Sequence, residues 1–164
     1  LDGSIYVWGG LQGKKLDSVD AASGVTTWAW TPDDGGKITT SGAVDAARRL
    51  VFVGTSSTHA LYAVNASSGT TVWRIDAGGE MWGTLGPQLV GSDLVCVGVG
   101  GEANPYADCN ASLLCVKRET GAAVWRAPTG KQIQSRPSVG KESLFVGDYD
   151  HCVYALDIES GERR

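Results

Sequence analysis

Residues 61–73 read LYAVNASSGTTVW. The run Leu61 to Val64 is apolar, carries Val and an aromatic, and is far too short for an ordinary helix. It therefore reads as a strand. Asn65-Ala66-Ser67-Ser68-Gly69 then reads as a turn. Asn and Ser side chains bond the nearby backbone, and Gly supplies the positive φ of a tight hairpin. After it, TTVWRI (70–75) sets small or polar residues among Val and Trp as an outer strand would, and carries an indole able to pack against a neighbouring unit.

Working outward, the same phrase recurs as LDSVDAASGVTTW from Leu16, LLCVKRETGAAVW from Leu113 and VYALDIESG from Val153. Gly24, Gly69, Gly121 and Gly161 hold one position, spaced 45, 52 and 40 residues apart, and Trp28, Trp73 and Trp125 each follow their Gly by four. A second register keeps step, for IYVWG, LVFVG, LVCVG and LFVG precede the four phrases. The stretches TTSGAV, LGPQLV and SRPSV supply a further strand whose Gly and Pro suit crowding near an axis.

Four short strands per period predict an all-β chain, a β-propeller of four-stranded antiparallel blades. Approximate repeats run over 1–38, 39–83, 84–134 and 135–164 as parts of a single propeller domain. The first starts on a second strand and the last stops after a third. The expectation is an incomplete propeller of about 3.5 blades, whose open edges need further blades or a partner.

The pattern Ala-x-Asp-x-x-Thr/Ser-Gly-x-x-x-Trp resembles the repeat of the pyrroloquinoline-quinone (PQQ) enzymes and their tryptophan-docking motif. Ala63, Asn65, Ser68, Gly69 and Trp73 carry it best, and Ala155, Asp157, Ser160 and Gly161 match as well. Other copies drift, with Ser18 and Cys115 at the Ala position and Lys117 at the Asp position. The resemblance speaks strongly for fold and weakly for chemistry, because cofactor-free propellers use the same repeat.

Residues 77–125 are similar to the quinoprotein blade that holds the cofactor. The resemblance implies Trp82, after Gly78-Gly79, as a stacking floor for PQQ, and Asn104, in Asn104-Pro105, as a Ca²⁺ ligand. Each residue has a plainer reading, as a channel filler and a turn. The catalytic Asp that the family's enzymes carry after the following Trp is missing, since APTGKQIQSRPSV has no carboxylate between Trp125 and Val139. Lys131, Gln132, Gln134 and Arg136 stand there instead, a candidate partner-binding mouth.

Composition bounds the rest. Net charge is −4, with no basic stripe, which excludes nucleic acid as an expected partner. No apolar run is long enough for a transmembrane segment. His59 and His151 lack acidic partners at ligand spacing and read as structural or surface residues, and Asp148, Asp150 and Asp157 read as turn carboxylates. The sequon at Asn65 falls inside the repeat, and that at Asn110 in a polar insertion. Cys96, Cys109, Cys115 and Cys152 show no Cys-x-x-Cys spacing and read as buried or free thiols, with a disulfide from Cys109 left open. Compartment stays undecided. Two functions follow: a non-catalytic propeller, without cofactor, that binds protein or scaffolds a larger assembly, or a fragment of a PQQ- and calcium-dependent alcohol or polymer-alcohol dehydrogenase. A sugar- or polymer-binding propeller is a third.

Overall fold

In the computed structural model, residues 3–8, 13–81, 86–100, 111–133 and 135–164 are described. They form four antiparallel sheets in chain order, each one blade. The first blade holds β1 (Ser4–Trp8), β2 (Leu16–Asp20) and β3 (Thr26–Trp30). The second holds β4 (Ala43–Asp45), β5 (Leu50–Gly54), β6 (Ala60–Asn65) and β7 (Thr71–Asp76). In the third are β8 (Gln88–Val90), β9 (Leu94–Val99), β10 (Ser112–Lys117) and β11 (Ala123–Pro128), and in the fourth β12 (Ser138–Val139), β13 (Ser143–Gly147) and β14 (Val153–Asp157). Strands pair with their sequence neighbours, so every blade is a meander. With three, four, four and three strands among the described residues, the molecule is an incomplete propeller.

The repeated turn does what its residues require. Gly69 takes φ +70°, and its N–H donates to the Asn65 carbonyl at 2.9 Å. The Asn65 side-chain oxygen accepts from the Ser67 and Ser68 N–H groups at 2.9 and 3.0 Å. The strand pair closing on this turn shifts register between Ala63 and Val64, and blades one and three shift at the same place, Ser18/Val19 and Cys115/Val116. A bulge beside the turn adds local twist, and the repeat carries it along.

The core lies between blades, in three clusters. Leu16, Trp30, Val51, Val53 and Tyr62 fill the first seam, Phe52, Trp73, Met81, Val95 and Val97 the second, and Trp125, Ile133, Leu144, Val146 and Leu156 the third. Alternate residues of β5 thus serve opposite seams, as the period-two side-chain pattern of a strand dictates. Across the second blade, Ala43, Phe52, Ala63 and Trp73 stand in one row, small against large.

The equivalent row of the third blade holds Gln88, Cys96, Cys115 and Trp125. Cys96 and Cys115 are joined by a disulfide, with Cα atoms 4.0 Å apart. The expectation of thiols is corrected here: both residues are buried, but as a bonded pair. Three positions along the ladder the Arg118 N–H donates to the Asp93 carbonyl. Cys115 and Cys96 therefore form a non-hydrogen-bonded pair, the site at which facing side chains come closest. Cys152 is a free, exposed thiol, and Cys109 lies outside the described residues.

Candidate functional site

Each seam is closed by the repeated Trp. The Trp28 indole N–H donates to the Ala66 carbonyl at 3.0 Å, Trp73 to Arg118 at 2.8 Å and Trp125 to Ile158 at 2.9 Å. These acceptors share one position, three residues before the turn glycine of the next blade. A Cβ on Gly69, Gly121 or Gly161 would lie 2.7, 2.9 or 2.5 Å from the ring of Trp28, Trp73 or Trp125. Glycine is thus required twice, for its positive φ and for the ring's approach. At Gly24 nothing lies within 4 Å, so that berth is open.

The side chain on the acceptor residue differs from seam to seam. Between blades one and two it is Ala66, and a cleft of about 190 Å³ stays open beside Tyr6, Trp28 and Arg49. Between blades three and four it is Ile158, in a cleft of about 330 Å³ with Val90, Leu94 and Val124. Between blades two and three it is Arg118, 6% exposed. Its guanidinium donates to Asp45 Oδ2 at 3.0 Å and to the carbonyls of Val90, Gly91 and Leu94. Arg48 adds a second cation at 3.2 Å from the same oxygen. Burial alone would raise the Asp45 pKa; its bonds from the Arg48 N–H and the Arg118 and Arg48 side chains outweigh that and hold it below the ordinary carboxylate value.

The candidate mouth lies on the connector from blade three to blade four. Asp148 organises it. Its Oδ2 accepts from the Gly130 and Lys131 N–H groups, each at 3.1 Å, and from the Tyr154 hydroxyl at 2.9 Å. Its Oδ1 accepts from the Asp150 and Cys152 N–H groups at 3.0 and 3.2 Å. Desolvation raises its pKa, yet these donors together depress it. The turn-carboxylate reading accounts for Asp148, and also for Asp157, whose carboxylate accepts from the Glu159 and Ser160 N–H groups. The Ser160 N–H and the Arg164 side chain lower the Asp157 pKa to about 2.

Of the mouth residues, Lys131 is half-buried and Arg136 exposed. Gln132 is 3% exposed, packed where a Cβ on Gly100 would meet it at 2.3 Å; it backs the mouth rather than lining it. Arg136 reaches the second blade, donating to Ser41 Oγ at 2.9 Å and to the Gly42 carbonyl at 3.2 Å. Gln134, Trp82 and Asn104 lie outside the described residues.

His59 and His151 occupy matching places, the last tight turn before β6 and β14, with φ of +53° and +58°. That conformation is uncommon outside Gly, Asn, Asp and His, so each imidazole answers a backbone need. Among the described residues no group of three or more His, Cys, Asp or Glu is placed to hold a metal ion, and no helix is long and apolar enough to cross a membrane.

Comparison with known proteins places this geometry. A sequence family described as outer membrane protein assembly factor BamB matches residues 12–110 and again 106–164. The polyvinylalcohol dehydrogenase of Sphingopyxis sp. (strain 113P3) is 30% identical over 128 residues, covering 78% of this chain and 18% of that protein. Among solved structures, BamB from Moraxella catarrhalis superposes with a TM-score of 0.76 at 18% identity, over 99% of this chain and 45% of the other. The quinohemoprotein alcohol dehydrogenase of Comamonas testosteroni gives 0.79 at 17% identity, over 99% and 33%. The chain thus spans less than a fifth of the curated relative and under half of these solved chains.

Proposed function

The chain belongs to the PQQ-repeat family described as outer membrane protein assembly factor BamB, and from that premise we propose that it is a non-catalytic propeller module that binds a protein partner within a larger assembly. The observation that carries this is the state of Asp148. Quinone-dependent alcohol oxidation needs a carboxylate free to take the hydroxyl proton. Residues 126–139 contain none, and the carboxylate bonded to that connector already accepts from five donors. A carboxylate so held is a poor base. The connector therefore offers no free base for a PQQ–Ca²⁺ centre, which supports the non-catalytic reading. Trp82 and Asn104 as stacking floor and metal ligand remain the second reading, supported by the sequence similarity to polyvinylalcohol dehydrogenase.

Lys131 and Arg136 give the mouth its cationic character, suited to an acidic peptide or protein surface. The intact protein, titrated with PQQ and Ca²⁺, is expected to develop no quinone absorbance band and no dye-linked alcohol oxidation. A PQQ-dependent turnover abolished by Trp82→Ala overturns the proposal in favour of the dehydrogenase. Lys131→Glu and Arg136→Glu are expected to weaken partner binding with the melting temperature retained. Because Arg136 also bonds the second blade, the melting temperature is read for each variant separately.

A further inference from the structure

We infer that Cys96 and Cys115 are oxidised to a structural disulfide as the chain folds, that the protein therefore matures in an oxidising compartment, and that this cross-link stands in for an aromatic–small pair used by the other three blades. The register shows the substitution directly. The pairs at the same place are Tyr6 with Ser18, Phe52 with Ala63, and Phe145 with Ala155. In the second blade the Phe52 ring packs on Trp73, centroids 5.8 Å apart, while Cys96 and Cys115 lie in the cluster with Trp125. Both cysteines are fully buried in their seam, so in the third blade a pair of small side chains stands where the second blade has a ring and a methyl group.

The disulfide ties the two central strands covalently, where the second blade relies on ring packing. It also closes a loop across 19 residues, which restricts the unfolded chain. Bonds of this kind persist in oxidising surroundings and are rare where glutathione keeps thiols reduced. The chemistry balances by exchange with a disulfide-bearing dithiol carrier. One cysteine thiolate attacks the carrier's disulfide and forms a mixed disulfide. The second thiolate then displaces the carrier sulfur, so that the Cys96–Cys115 bond forms and the carrier leaves as a dithiol with both electrons and both protons.

Two measurements on the intact protein test this. Alkylation in denaturant, followed by peptide mass spectrometry, is expected to leave Cys96 and Cys115 unlabelled until a reductant is added. Labelling of both without reductant overturns the inference. Full reduction is expected to lower the folded-to-unfolded ratio by at least about thirtyfold. The double variant Cys96→Phe/Cys115→Ala, which installs the second blade's pair, is expected to fold and to be indifferent to reductant. A reduced wild type of unchanged stability, or a double variant that fails to fold or still weakens in reductant, overturns the assigned role.

Discussion

Trp73 is fixed by two contacts that no other side chain supplies together: an indole N–H on a main-chain carbonyl of the next blade and a flat face over its turn glycine. Emptying a site this large costs about 3–5 kcal/mol, and Trp73→Ala is expected to lose that much in denaturant unfolding of the assembled protein. A loss below about 1 kcal/mol would reject the docking role. The glycines allow the two demands on them to be separated. Gly24→Ala meets only the left-handed backbone cost of about 1–2 kcal/mol, since nothing stands within 4 Å. Gly121→Ala adds a Cβ 2.9 Å from the Trp73 ring and is expected to lose clearly more in the same assay. The Trp and Gly positions were legible because they recur at one spacing. Their bonding partners were not, because a backbone carbonyl leaves no mark on residue identity.

Between elements, the pair Asp45–Arg118 ties the end of β4 to the turn after β10, across 73 residues of sequence. Arg118 sits in the repeated turn and Asp45 directly after the strand stretch TTSGAV, and nothing in a sequence that distant joins them. Both are nearly inaccessible, so removing Asp45 leaves the buried Arg118 cation bonded to carbonyls alone, without its carboxylate. Asp45→Ala is expected to cost about 3–5 kcal/mol, measured by equilibrium unfolding. The acid sensitivity has a defined sign. The folded-state pKa of Asp45 is depressed, so its contribution is complete above the unfolded carboxylate value of about 4. It is lost as pH falls through the lower folded value. Asp45→Asn is expected to flatten that acid limb of the stability profile, and an unaltered limb would show that other carboxylates dominate. The disulfide was missed for a related reason. Cys115 at the Ala position was visible, but only the strand register reveals that Cys96 is its direct neighbour.

At the scale of the molecule, the outer blades present faces whose counterparts elsewhere are covered. Ile5 and Val7 are 52% and 49% exposed, while Val51 and Val53, at the same positions of the second blade, are fully buried. Phe145 is 44% exposed against none for Phe52. Residues 1–164 on their own are thus expected to self-associate through these faces, as light scattering or sedimentation would report; a well-behaved monomer with cooperative unfolding would contradict this. The repeat count and the incomplete blades were readable from the spacing of Gly and Trp, whereas the mouth was read too simply. Gln132 looked like a polar surface residue because a sequence gives no hint that Gly100 leaves room for it. The open berth at Gly24 has one more implication. Every seam has a giving side, which extends an indole, and a receiving side, which offers a glycine and a carbonyl. Such a joint has a direction, like an arrow, and its two halves are unlike. Whatever fills that berth must therefore present the giving side of a blade, indole first, and a twofold pairing of like faces leaves it unfilled.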